Sequence, residues 1–322
     1  MVSCPDAEHL RLRPAVTLTG TMQLIIVGLR RSGTTAFWRP FRQDDRMVAY
    51  DEPFNPNLIQ LPNEHPKAIR SEFMNLHHRD PRLFWRTFAP IGLTEELMDG
   101  LTERQTAYIE FLGRSAGGSF VLDTTRCHFK IKHLAEAFPE AVLVHLFREP
   151  VAFVSSHLLP TGSEQGRAGR AALLARRTIR RVGFWSVAAG YDNWGLESLI
   201  GNHSDSMFGI RLRERGIRPE TVFALPAAGR LLAFWRLAFE TAQAAGADEF
   251  RDRFLSIPFE RFAENPGRTL HTVYSKTGLG PPQFDNDVGA PNPGFRAKDR
   301  RWSEMAEAVG IEQTTGFDLL SL

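Results

Sequence analysis

Cysteine and lysine are scarce in this chain. Cys4 and Cys127 are the only cysteines in 322 residues, and five of the 39 basic residues are lysine (Lys67, Lys130, Lys132, Lys276 and Lys298), leaving 34 arginines. Two isolated cysteines give neither a disulfide framework nor metal-ligand spacing. They fit a reducing compartment, so the expected location is cytoplasmic. No apolar run approaches the roughly 18 residues of a membrane-crossing helix. The N-terminus MVSCPDAEHLRLRPAVTLTG lacks the basic-then-apolar order of a secretory signal. The net charge is only +2, so nothing global points to a nucleic-acid partner. The arginine excess fits the base composition of a genome as well as it fits anion handling. Since a guanidinium grips phosphate and sulfate with a planar fork, local position must decide between the two.

What is present is an ordinary globular composition, 43% hydrophobic and 24% charged, with material for a sizeable core. Residues 1–20 read as a mobile extension and 21–322 as one domain. QLIIVGL (23–29) is a continuous apolar run, as a strand covered on both faces requires. TTAFWRPF follows as a helix that Pro40 ends or kinks. RMVAY (46–50), SFVLD (119–123), AVLVHLF (141–147) and FLSIPF (254–259) are further strands. Helical pattern appears near 67–77, 94–113, 171–190 and 229–246, and over KHLAEAF, with KIKHL (130–134) reading as the exposed opening of that helix. Pro150 sits at the first position of another helix. NPGRTLHTVYSKTGLG has its own punctuation, with Asn265 as cap, Pro266 next and Gly278 near the stop. PTGSEQGRAG (160–169) reads as a loop that moves. Strands separated by helices predict an α/β fold of P-loop type, a mainly parallel sheet flanked by helices, with helical insertions.

The stretch MQLIIVGLRRSGTT raises the functional question. Gly28 and Gly33 have the spacing of the G-x-x-x-x-G-K-[ST] phosphate loop, and Thr35 fills the Ser/Thr position, but Thr34 stands where the lysine belongs. The N–H groups from Arg31 to Thr35 and the positive end of the following helix are expected to face an anion. Without the lysine that reaches the β/γ-phosphates, ATP or GTP hydrolysis is disfavoured. Arg31 supplies charge from inside the loop. A second candidate lies in VHLFREPVAFVSSH. Arg148 follows an apolar strand, where ligands of open parallel sheets bind, and Ser156 lies eight residues on, about two helical turns. Two such sites imply a nucleotide with anionic groups at both ends.

GLRRSGTT and FREPVAFVSS together resemble the two donor motifs of sulfotransferases that use 3′-phosphoadenosine 5′-phosphosulfate (PAPS), in particular bacterial and carbohydrate (Golgi-type) members. FPEAVLVHLFREP, FWRLAFETA and IPFERFAENPGRTL resemble further family segments, in the right order. The resemblance implies that Arg30, Arg31, Ser32, Gly33, Thr34 and Thr35 hold the 5′-phosphosulfate and that Arg148 and Ser156 hold the 3′-phosphate. It extends loosely to PNPGFRAKDRR, with Arg296 and Lys298 over the nucleotide. It departs at AFWRPF, where relatives are leucine-rich, and at Thr124, which replaces a lysine.

The resemblance also implies sulfuryl transfer to a hydroxyl of a glycan or small metabolite without a metal, leaving 3′,5′-adenosine bisphosphate (PAP). Two residues compete for the base. Glu52 in AYDEPFNP resembles the glutamate of carbohydrate sulfotransferases, and His128 in TTRCHF stands near the histidine of cytosolic members; Asp51 is a lesser rival. Arg31 is the residue expected to stabilise charge on the bridging oxygen. A P-loop small-molecule kinase and a non-catalytic nucleotide- or glycan-binding relative are the alternatives.

Overall fold

A computed structural model describes residues 20–63, 71–158, 196–201, 203–282 and 301–311. Strands β1 (Thr21–Val27), β2 (Met47–Asp51), β3 (Ser119–Thr124), β4 (Val142–Phe147) and β5 (Phe254–Pro258) form one sheet in the order β2-β3-β1-β4-β5. Every neighbouring pair is parallel, as the alternation of strand and helix predicts. β1 is central, flanked by β3 on one side and β4 on the other, so the crevice outside its carboxyl end is the topological switch point of the sheet.

The continuous apolar run of β1 follows from burial on both faces. Leu24 and Ile26 belong to a layer with Phe37, Trp38 and Phe41 of helix α1 (Thr34–Arg42) and with Leu270, Val273 and Tyr274 of the helix Pro266–Thr277. Ile25 and Val27 face the opposite layer. That layer is built with α2 (Ser71–Arg79), α3 (Pro81–Thr87), α4 (Glu103–Ala116) and α5 (Ile131–Ala137). A third apolar cluster joins α6 (Pro150–Leu158) to the long helix Ala227–Ala245 and the helix Trp302–Val309.

Two local expectations need correction. Pro40 does not end α1: the helix runs on to Arg42 with Pro40 inside it. Phe37 and Phe41 bracket it on the buried face, and burying such side chains, at about 1.5–3 kcal/mol each, outweighs the one backbone bond that proline forfeits. Lys130 is not part of an exposed helix opening. It is 1% exposed, and its Nζ donates to the carbonyls of Glu95 and Met98, both at 2.8 Å. The helical pattern near 94–113 divides into a short 3-10 turn, Thr94–Leu97, and α4. The helix Pro266–Thr277 carries its expected punctuation: Asn265 accepts from the Arg268 N–H at 3.0 Å, and Gly278 ends it in the left-handed region. The helical pattern at 171–190, the loop 160–169 and residues 1–19 lie outside the described residues.

Candidate active site

The phosphate loop runs from the end of β1 to the start of α1. Its turn needs two left-handed residues, Arg31 (φ 69°) and Gly33 (φ 87°). Gly33 has a second reason to lack a side chain: a Cβ there would lie 2.1 Å from the Phe259 ring. Gly28 is likewise pressed between the Leu146 carbonyl and the Thr34 side chain. Ser32 spends its N–H on the Leu29 carbonyl at 3.0 Å, so the expected run of ligand-facing amides is interrupted there. The first helical N–H groups, at Thr34 and Thr35, have no partner within α1. Two buried side-chain donors at the loop, Arg31 Nε and Ser32 Oγ, have no hydrogen-bond partner among the described residues. Buried donors left open at a helix N-terminus fit an anion.

The second motif meets the first. Arg148, at the end of β4, donates from Nη1 to the Arg31 carbonyl at 3.1 Å. Its guanidinium lies 5.4 Å over the Phe259 ring and its Nε is 3.9 Å from the Glu260 carboxylate. Trp235 of the long helix fixes the backbone there, donating from Nε1 to the Arg148 carbonyl at 2.8 Å. His157 Nε2 lies 3.0 Å from the Arg30 carbonyl, so α6 grips the loop as well. Ser156 directs its hydroxyl to the Phe153 carbonyl of its own helix at 2.7 Å. Arg296 and Lys298 lie outside the described residues.

The two arginines of the loop part company. Arg30 is 7% exposed, and both of its terminal nitrogens bond the buried Glu96 carboxylate, one at 2.9 Å. Arg126 bonds the same carboxylate, sharing its Oε1 with Arg30. Arg30 is therefore committed to an internal ion pair and is not a free cation for the donor. The Glu96 segment is itself pinned, by Lys130 and by Arg211, which donates to the Leu97 carbonyl at 2.7 Å.

Glu52 lies beyond this triad, just past β2, in the left-handed region (φ 53°), with its N–H on the Asp123 carbonyl at 2.8 Å. Burial, and then the neighbouring Asp51 charge, push its carboxyl up to about 7, against the pull of Arg126, Thr125 and Arg30. One of its oxygens, Oε1, is buried without a hydrogen bond among the described residues. A carboxylate with this poise can take a proton near neutrality. His128 is in the opposite condition. It is 4% exposed, burial and the Arg30 charge drive its imidazole down to about 3, and its ring packs edge-on 5.8 Å from His145. With Arg126, Thr125, Glu96 and Phe234 it lines a cavity of about 10 Å³, enough for one water. Thr124, in place of the relatives' lysine, accepts from the Arg126 N–H at 3.2 Å. Sequence reasoning missed Glu96, Arg126, Asp123 and Trp235 as parts of the site. Of these, only Trp235 had a signal, the tryptophan of FWRLAFETA.

A central parallel strand running into a glycine-bearing loop, with an arginine from the neighbouring strand closing on it, defines a P-loop-like α/β protein. The sulfotransferase family matches residues 23–189, more than half of the chain, and the chain belongs to that family. It is similar to three solved structures. One is the sulfotransferase domain of the Synechococcus PCC 7002 olefin synthase (12% identity, 93% of this chain and 96% of that one, TM-score 0.46). The second is a sulfotransferase from Alicyclobacillus acidocaldarius (16%, 93% and 97%, 0.41). The third is sulfotransferase STF1 from Mycobacterium tuberculosis H37Rv (15%, 94% and 73%, 0.42). No curated protein matches the chain. Among the described residues no helix is long and apolar enough to cross a membrane.

Proposed function

We propose that this sulfotransferase moves the sulfuryl group of PAPS to a hydroxyl of a glycan or small metabolite, and that it works in the cytoplasm. The observation that carries the reading is the Arg148–Arg31 hydrogen bond. It brings two anion motifs from distant parts of the chain to one crevice at the carboxyl ends of β1 and β4. A nucleotide with phosphate at its 3′ end and phosphosulfate at its 5′ end needs two such sites at a fixed separation.

In this reading the loop amides, Ser32 and the Arg31 guanidinium receive the 5′ end, and Arg148 with Ser156 receives the 3′-phosphate. Glu52 takes the proton of the acceptor hydroxyl. The acceptor oxygen forms a bond to sulfur as the bond from sulfur to the bridging oxygen breaks, and Arg31 steadies the charge left on the 5′-phosphate of PAP. Positioning and electrostatics do most of the work in such transfers. Glu52 is preferred to His128 because an imidazole held neutral to about 3 is a weak base, whereas a carboxyl poised near 7 is matched to the task.

The test is calorimetric titration of the full chain with PAP, with ATP plus Mg²⁺ as control. Micromolar binding of PAP with ATP silent supports the donor reading. Binding of ATP with PAP silent replaces it with the kinase reading.

A further inference from the structure

One peptide group at the carboxyl end of β4 is held from both sides. Phe147 and Pro258 are register partners at the ends of β4 and β5, so Arg148 comes to lie beside Phe259, and Glu149 beside Glu260. The ladder stops there because the chain turns into the helix Phe259–Glu264. The Glu260 carboxylate stands in as the next acceptor: the Glu149 N–H donates to both of its oxygens, at 3.3 and 3.4 Å. The carbonyl of the same peptide group, that of Arg148, accepts from Trp235 Nε1 at 2.8 Å. A peptide whose N–H and C=O are both claimed by side chains of other segments cannot turn without breaking both bonds. The Arg148 side chain leaves from this clamp and is steadied further on, by the Phe259 ring 5.4 Å away and by the Arg31 carbonyl at 3.1 Å. Phe259 is itself pressed on the loop, since a Cβ on Gly33 would lie 2.1 Å from its ring.

We propose that Glu260 is a positioning residue for nucleotide recognition: with Trp235 it clamps the Arg148–Glu149 peptide, and so aims Arg148 at a 3′-phosphate and favours nucleotides that carry one. The inference rests on the donor reading above. Glu260 has two possible contributions, a charge and a hydrogen-bond acceptor. Its carboxylate is 3.9 Å from Arg148 Nε, beyond hydrogen-bond reach, and its side chain is 21% exposed. A long, part-solvated ion pair contributes little, and any repulsion of a bound anion is screened by the same solvent. Withdrawing the acceptor of a half-buried backbone N–H costs more and frees the peptide to turn. The acceptor is therefore the larger contribution. An arginine ordered only as the ligand arrives loses the freedom of its long side chain at that moment, whereas one held beforehand does not.

The experiment is calorimetric titration of the full chain with PAP and with adenosine 5′-monophosphate, which lacks the 3′-phosphate. The wild type is expected to prefer PAP by about 100-fold, the effect of one charge-assisted phosphate contact. Glu260→Ala is expected to cut that preference about tenfold by weakening PAP alone, with the monophosphate unchanged. Glu260→Gln, whose amide oxygen can still accept from the Glu149 N–H, is expected to rescue the preference to within about threefold of the wild type. In an Arg148→Ala background, Glu260→Ala is expected to change nothing further. The proposal is overturned if Glu260→Ala keeps the wild-type preference, if it weakens both nucleotides equally, or if Glu260→Gln departs from the wild type as far as Glu260→Ala does. Tighter PAP binding by Glu260→Ala also overturns it, since charge repulsion would then be the larger effect. If Glu260→Ala does not fold, Trp235→Phe removes the other hold on the same peptide: a reduced preference supports the clamp, and an unchanged one overturns it. A wild type that does not bind PAP, or binds it no better than the monophosphate, is a different result. It removes the donor reading and this inference with it.

Discussion

In the proposed reading, the donor side and the acceptor side of this crevice use charge in opposite ways. At the loop, Arg31 Nε and Ser32 Oγ are buried without hydrogen-bond partners among the described residues, and the open end of α1 suits an anion. Across the triad, charges are already engaged or suppressed: Arg30 and Arg126 share Glu96, and His128 is kept neutral. On the side that reading gives to the acceptor, burial and the Asp51 charge push the Glu52 carboxyl up to about 7. A site that must recognise a constant polyanion can leave donors open for it. A site that must deprotonate a neutral hydroxyl needs one adjustable group in surroundings that are otherwise fixed.

The division can be broken by substitution. Glu52→Gln is expected to lower turnover by about 10²–10⁴-fold while leaving PAP affinity within about threefold, as read by PAPS consumption over an acceptor panel and by calorimetry. Equal turnover by Glu52→Gln, together with its loss in His128→Gln, would exchange their roles. Glu96→Gln is expected to cost about 3–5 kcal/mol of stability in urea unfolding, because two buried guanidiniums lose their shared carboxylate; a change below 1 kcal/mol would mean the triad is not the acceptor side's structural anchor. Arg148→Ala is expected to weaken PAP binding by about 100-fold, the effect of losing a charge-assisted contact of about 2–3 kcal/mol. Unchanged affinity would remove the donor side from this crevice.

The pH dependence of folding is a further test. His128 titrates near 6.5 ordinarily and near 3 when folded, so the unfolded chain binds the extra proton between these values and stability falls as pH falls through them. Glu52 moves from 4.5 to about 7, so the folded chain binds the extra proton and its contribution is lost as pH rises through that window. Thermal unfolding across pH 4–8 is expected to show the acid limb flattened in His128→Gln and the neutral limb flattened in Glu52→Gln.

The same contrast explains what the sequence disclosed. A loop that wraps an anion with its backbone needs glycines at fixed offsets, one for its conformation and one for its crowding, and Gly28 and Gly33 announce it. Two strands with period-breaking apolar runs announce the parallel sheet. The acceptor side has no such local rule. Glu96 comes from one segment and Asp123 and Arg126 from another, and they acquire meaning only when the fold brings the two segments together. Pro40 and Lys130 misled for a related reason. Their local tendencies, to break a helix and to seek water, lost to a buried aromatic face in one case and to two backbone carbonyls in the other.

Consecutive arginines that turn to opposite halves of a site also bear on inheritance and engineering. Transplanting residues 28–35 alone into another chain would deliver Arg31 and the proposed anion site but leave Arg30 as a buried cation without its Glu96 partner. The smallest exchangeable module is therefore discontinuous: the loop, the segment around Glu96, and the Lys130 and Arg211 side chains that anchor that segment. Recombination among relatives is expected to respect that boundary, and chimeras cut inside it to be recovered misfolded.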